Sequence, residues 1–206
     1  MSPRKAAALR HSEGSLRDHL IATAERLIAE HGTAGLTVRA IAREAGVADG
    51  VLYNHLADKE ELLARALHAH VRTVERGLGD LPEPGTDTVE ANLRAHLAYG
   101  LALHRAILPA FAGLLAQPAV LARFAELGDH GGQWRDRLAD YLRAEQDLGR
   151  LAPDAQVDAA ATMLVGVCHE TVLSALFPPT TNTTPPAVDS VITTLLDGIA
   201  RSSRSR

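Results

Sequence analysis

A single cysteine, Cys168, stands in 206 residues. No disulfide framework can form within the chain. Aromatic residues are scarce as well: one Trp, three Tyr and three Phe make up 3% of the sequence. The 46% hydrophobic content must therefore build its core mainly from Ala, Leu and Val. That mixture favours helices that pack closely through small side chains. No apolar run is long enough to span a bilayer and the N-terminus lacks an apolar signal core, so a soluble, cytoplasmic chain is expected. An excess of positive charge is also missing, since the formal net charge is −4. This argues against a nonspecific nucleic-acid coat. The charge is uneven, however. Residues 1–76 hold 11 Lys+Arg against 10 Asp+Glu, and residues 77–206 hold 10 against 15. The asymmetry has the sign expected if the N-terminal part meets phosphate.

Catalytic patterns are absent. His169-Glu170 is not followed by a second His at zinc-ligand spacing, and there is no phosphate-cradling glycine loop and no G-x-S-x-G. The 10 histidines are scattered. His68 and His70 are two apart and do not share a helix face. His96 and His104 lie about two turns apart and read as core or surface residues. No enzyme activity, cofactor or metal site is expected.

What is present is concentrated in residues 37–59, TVRAIAREAGVADGVLYNHLADK. The stretch parses as two short helices joined by a tight turn. Thr37 has the side chain to cap the first helix. Val38, Ile41, Ala42 and Ala45 fall at helical spacing on one face. Gly46 stands where a helix commonly ends in a left-handed residue. Val47, Val51, Leu52 and Leu56 supply the buried side of a second helix. Ala48, Asp49, Gly50, Tyr53, Asn54 and His55 point elsewhere and are small or polar. This is the helix-turn-helix pattern that reads a DNA major groove.

These residues, T-V-x-x-I-A-x-E-A-G-V-A-x-G-V-L-Y-x-H-L-x-x-K-E-E-L-L, resemble the DNA-binding domain of the tetracycline-repressor (TetR) family of bacterial transcriptional regulators. The similarity spans roughly residues 20–63 and departs at Leu56, where the family usually has Phe. Asp49 is less usual at the front of a recognition helix. It would repel phosphate or accept from a cytosine amino group. Beyond this stretch the chain matches the family only in helicity and length.

The resemblance implies an all-α fold of about nine helices: a three-helix N-terminal helix-turn-helix domain and a helical C-terminal domain for ligand binding and dimerisation. Residues 1–78 form the first domain with its linking helix, and residues 87–206 the second. Ala48, Asp49, Gly50, Asn54 and His55 would approach base edges. Thr37, Tyr53 and Lys59 would contact phosphate, and Arg39 either phosphate or base. Tyr53 also reads as a partly buried core residue, and Arg39 and Arg43 as solvated charges.

The remaining elements follow in order. Residues 1–14 read as a solvated tail, or as a basic arm that orders on DNA. A first helix is expected over 15–31, with Ser15 and Asp18 as its cap. Asp58 and Glu61 form a capping box for the next helix, which ends near Gly77 or Gly79. GDLPEPGT, residues 79–86, marks a linker. Asp87 and Glu90 read as another capping box, for a helix over 88–106. Pro109 is expected to start or kink the next helix, and Gln117-Pro118 breaks the chain again. The last two helices, over 154–177 and 187–200, carry few charges. The resemblance assigns them to an intersubunit bundle in a homodimer. It also places a small-molecule effector, of unspecified identity, in the C-terminal domain. Tyr99, Leu103, Phe111, Phe124, Trp134, Tyr141, Cys168 and His169 are the candidate lining, each also readable as ordinary core. A double-stranded DNA operator, read as a pseudo-palindrome by a repressor dimer, completes the expectation. A small-molecule-binding protein that has lost specific DNA recognition, and a small helical enzyme, remain as alternatives.

Overall fold

Leu and Ala at helical spacing dominate the chain, and every element among the described residues is an α-helix. The computed structural model describes residues 3–48, 55–128, 134–175 and 186–198, with side chains from residue 16 onward. Its eight helices are α1 (Pro3–His31), α2 (Val38–Glu44), α3 (Lys59–Leu78), α4 (Val89–Ala112), α5 (Pro118–Leu127), α6 (Trp134–Asp147), α7 (Val157–Ser174) and α8 (Val188–Asp197). The expected recognition helix falls largely on residues 49–54, outside the described residues.

Several boundaries differ from the sequence expectation, each for a local reason. The first helix starts at Pro3 rather than near Ser15. Pro suits the first helical position, and the Ala, Leu, Arg and Lys that follow are strong helix formers that carry the helix through Gly14. Thr88 caps α4 in place of Asp87: its hydroxyl accepts from the Ala91 N–H at 3.1 Å. Asp87 sits at φ 38° and accepts from the Thr88 N–H at 2.7 Å. Glu90 pairs forward with Arg94 at 2.5 Å instead of closing a capping box. Pro109 lies inside α4, which runs on to Ala112. The helix expected from Asp154, α7, starts at Val157 because the preceding chain is held in turns. The Gln146 amide donates to the Ala152 and Ala155 carbonyls at 2.9 and 3.2 Å.

The chain divides into two compact units. The first comprises Met1–Gly77 with Ala106–Gly128, and the second Leu78–Arg105 with Asp129–Arg206. Residues 106–128 therefore pack with the N-terminal helices, although the linker at 79–86 comes before them in sequence. In the first unit one core joins Leu20, Ala24 and Ile28 of α1, Ile41 of α2, Leu56, the Leu62–Leu67 face of α3, and Ala110, Leu114 and Val120. Leu56 is fully enclosed there, so this residue serves as the apolar plug of the motif. The core of the second unit uses Leu93 and Leu97 of α4, Leu138 and Leu142 of α6, Leu164 and Cys168 of α7, and Ile192 of α8.

Candidate nucleic-acid interface and effector site

The first short helix of the motif is closed at both ends. Thr37 is exposed, in extended backbone, and its hydroxyl accepts from the Ala40 N–H at 3.2 Å. At the other end Gly46 adopts φ 71°. The Gly46 N–H bonds to the Arg43 carbonyl at 3.2 Å and the Val47 N–H to the Ala42 carbonyl at 3.0 Å. This is the Schellman arrangement, in which a left-handed glycine turns the chain and satisfies the last carbonyls. The turn sends the chain into residues 47–56 with Ala48 exposed at its front.

The surrounding helices fix the motif in place. Arg26 of α1 reaches Glu44 of α2 at 2.5 Å. The His19 ring nitrogen meets the Ala45 carbonyl at 3.2 Å. Arg17 of α1 bonds Glu61 of α3. Glu61 also accepts from the Ala57 N–H at 2.8 Å and from Arg65 at 2.8 Å, while its own N–H donates to Asp58 at 2.8 Å. The Ala57 N–H bond, then the two arginines, hold the Glu61 carboxyl down to about 2, against the opposing effect of burial. Asp58 thus caps α3 as read from the sequence, while the Glu61 carboxylate reaches back one residue further, to the Ala57 N–H, and is joined by two arginines. Lys59 opens α3 beside it, half-buried.

Of the nine residues assigned to DNA, Thr37, Arg39 and Ala48 are exposed, and His55 and Lys59 are half-buried. Asp49, Gly50, Tyr53 and Asn54 lie outside the described residues. The eight effector candidates separate. Phe111 and Phe124 pack edge to face at 5.1 Å in the first unit, against the helix-turn-helix core. Tyr99, Leu103, Trp134, Tyr141 and Cys168 are buried in the second unit, and His169 is exposed there. Burial pushes the Cys168 thiol up to about 12, so it is held as an unreactive thiol.

The second unit also buries polar groups, of which the sequence reading had singled out only His96 and His104, as core or surface residues. Asn92, His96 and His104 of α4 and Glu145 of α6 are all under a tenth exposed. The His96 ring lies 4.5 Å from the Tyr141 ring. Burial, and then the nearby Arg137 charge, lower the His96 imidazole to about 4. His104 is also lowered, first by burial and then by His169, whose ring is 4.8 Å away, against the opposing effect of the Gly100 carbonyl 2.7 Å from its Nδ1. Their signal in the sequence was spacing: Asn92, His96, Gly100 and His104 recur every four residues.

Residues 20–66 match the family described as bacterial regulatory proteins, tetR family. The transcriptional repressor AcnR of Corynebacterium diphtheriae is 30% identical over 164 residues, covering 76% of this chain and 76% of its own. The chain belongs to the TetR family. The HTH-type transcriptional repressor KstR2 of Mycobacterium tuberculosis is 29% identical over 146 residues, which is 70% of this chain and 73% of that protein. A TetR-like fold is shared with the regulator FadR from Bacillus subtilis, solved in complex with stearoyl-CoA. That structure superposes with a TM-score of 0.57 at 21% identity, covering 88% of this chain and 98% of that one. This TetR-family chain is a transcriptional regulator rather than an enzyme, as its curated relatives are repressors. No helix among the described residues is long and apolar enough to cross a membrane.

Proposed function

We propose that the protein is a cytoplasmic, ligand-responsive repressor that binds a pseudo-palindromic DNA operator as a homodimer. The observation that carries the DNA reading is the closed geometry of α2. Its Thr37 cap and its Schellman turn at Gly46 hand an exposed Ala48 to the start of the recognition segment. Residues 1–78 serve DNA and residues 87–206 serve the effector and the dimer. Ala48, Asp49, Gly50, Asn54 and His55 read base edges. Thr37, Tyr53 and Lys59 hold phosphates and fix the register, and Arg39 and the basic residues ahead of Leu16 add to this. The small side chains at 48 and 50 permit close backbone approach to the groove. Lys59 stands among the first N–H groups of α3, a natural anion site.

The dimer forms through α7 and α8. Met163 is 62% exposed, Leu173 44% and Leu196 40% in the single protomer. Apolar side chains of this size at that exposure suit burial against a second copy. An effector held in the second unit shifts operator occupancy by its differential affinity for two conformers. The test is a footprint on DNA upstream of the protein's own gene. Two protected half-sites with centres about 34–36 Å apart, occupied by two protomers, are expected. Protection of a single half-site by one protomer contradicts the dimeric reading.

A further inference from the structure

The seam between α4 and α6 holds more polar chemistry than a structural core needs. On α4, Asn92, His96, Gly100 and His104 form one stripe, four residues apart. On α6, Trp134, Leu138, Tyr141 and Glu145 form another. The stripes face each other: the His96 ring lies 4.5 Å from Tyr141, and the His104 ring lies 5.5 Å from Trp134. At Gly100 the contact is closer still, since a Cβ there would stand 2.3 Å from the Trp134 six-membered ring.

Some of these groups are matched within the fold. Asn92 donates to the Thr86 carbonyl at 2.7 Å. Glu145 accepts from the Gly85 N–H at 3.1 Å and pairs with Arg150 at 3.2 Å. Others are not. Both ring nitrogens of His96, the Trp134 Nε1 and the Tyr141 hydroxyl are buried without a hydrogen-bond partner. The Tyr141 hydroxyl lies beside Glu145 and Asn92 but meets hydrogen-bond geometry with neither. An orphaned buried polar atom costs stability that Leu or Phe in the same volume would not. Three such atoms, two on His96 and one on Tyr141, share one layer of the seam and are explained by a partner that supplies the missing bonds.

We infer that the α4–α6 seam is where this regulator takes its effector, a neutral and mostly apolar molecule carrying a hydroxyl or carbonyl oxygen, bound by His96, Tyr141 and Trp134. The inference rests on the effector-binding reading above and names the ligand class for it. Tyr141 O–H donates to the oxygen, and the Trp134 indole, about 10 Å away along α6, packs against the apolar part. His96, held neutral, offers one donor and one acceptor. Charge is disfavoured in both signs. A cation finds the Glu145 carboxylate already paired with Arg150, and an anion finds the Arg137 guanidinium already engaged with the Tyr99 hydroxyl at 3.1 Å. The Trp134 indole rests on the bare backbone of Gly100 and is the side chain that a bound molecule shifts.

Trp134 is the sole tryptophan of the chain, so its emission reports on the seam alone. The full-length protein is titrated with 2-decanone, 1-decanol, decanoate and decyltrimethylammonium. Their ten-carbon chains match the rise of about 10 Å between Trp134 and Tyr141 along α6. The two neutral probes are expected to shift the emission saturably, and the two ions about tenfold more weakly or not at all. His96→Leu should weaken 2-decanone by about tenfold and yet raise the melting temperature, because it removes an orphaned polar group. Tyr141→Phe, which keeps the ring and the reporter, should weaken it in the same direction. Equal binding by an ion, no response to either neutral probe, or unchanged affinity in both variants overturns the inference. Release from operator DNA is read in parallel. An ion that shifts Trp134 and releases DNA overturns the ligand class and leaves the effector reading intact. Neutral probes that bind without altering DNA affinity keep the site and its chemistry and overturn the effector reading.

Discussion

The Thr33 hydroxyl donates to the Ala110 carbonyl at 2.5 Å, buried inside the first unit. Ala110 lies in the last turn of α4, where carbonyls have no partner within the helix. Thr33 sits in the loop between α1 and α2, four residues before the Thr37 cap. Gly113 makes the approach possible, since a Cβ there would stand 2.3 Å from the Thr33 oxygen and 2.9 Å from the Ala34 nitrogen. Thr33→Val keeps the shape and orphans the carbonyl. It should cost about 1–3 kcal/mol of stability. Gly113→Ala should also destabilise, by forcing the loop away from α4. Thermal melts followed by circular dichroism check both, and an unchanged melting temperature for Thr33→Val would show the carbonyl to be satisfied without the hydroxyl.

Glu61 gives the fold a dependence on pH with a defined sign. Its folded carboxyl is depressed to about 2 from an ordinary 4.5, first by the Ala57 N–H bond and then by Arg65 and Arg17. A depressed acid stabilises the fold above its unfolded value and loses that contribution as pH falls through the folded one. The stabilisation from Glu61 is therefore complete above about pH 5 and fades between about pH 5 and pH 2. Glu61→Gln should lower stability by about 1–2 kcal/mol near neutral pH. Urea midpoints of the two proteins should converge on acidification. A gap that stays constant down to pH 2 would assign the effect to packing rather than to charge.

The dimer is best challenged from the outside. Val165 is half-buried in the protomer, so an acid there would disturb the fold as well as the interface. Met163, 62% exposed on α7, has no such complication. Met163→Asp should leave the melting curve of the protomer in place and bury an unpaired charge only on association. Sedimentation should show a monomer at concentrations where the parent is dimeric. A surviving dimer moves the interface away from α7.

Operator contacts can be separated by what they lose. Tyr53→Phe removes only the hydroxyl assigned to a phosphate and should weaken operator binding by about 1–3 kcal/mol, equally on all operator variants. Full affinity in that variant would make Tyr53 a core residue alone.

Much of this arrangement was readable before any coordinates, and the readable parts were local. The Thr37 cap, the Gly46 turn, the Asp58–Glu61 pair and the helix end near Gly77 or Gly79 each depend on a few neighbouring residues, and all are in place, the last with the helix stopping at Leu78. The misplaced features depend on competition or on distance. Asp87 and Thr88 are both good caps, and backbone at φ 38° at Asp87 handed the role to Thr88. Pro109 reads as a break, yet a helix tolerates it when tertiary packing holds both sides. Phe111 and Phe124 were grouped with the effector candidates because they are large and follow the linker. The contacts that draw residues 106–128 into the first unit, such as Thr33 with Ala110, join positions 77 apart. No periodicity carries that information. The buried polar seam was visible as a four-residue spacing, but which of its atoms stay unpartnered is decided by the facing helix.

The central claim is sequence-specific DNA binding, and fluorescence anisotropy tests it directly. Purified protein is titrated onto labelled DNA from upstream of its own gene, over a salt series and with nonspecific competitor. Specific recognition predicts nanomolar affinity that survives competitor, two protomers per site, and a log–log salt slope set by the phosphates contacted. Weak binding that is equal on every sequence and vanishes with salt would contradict it.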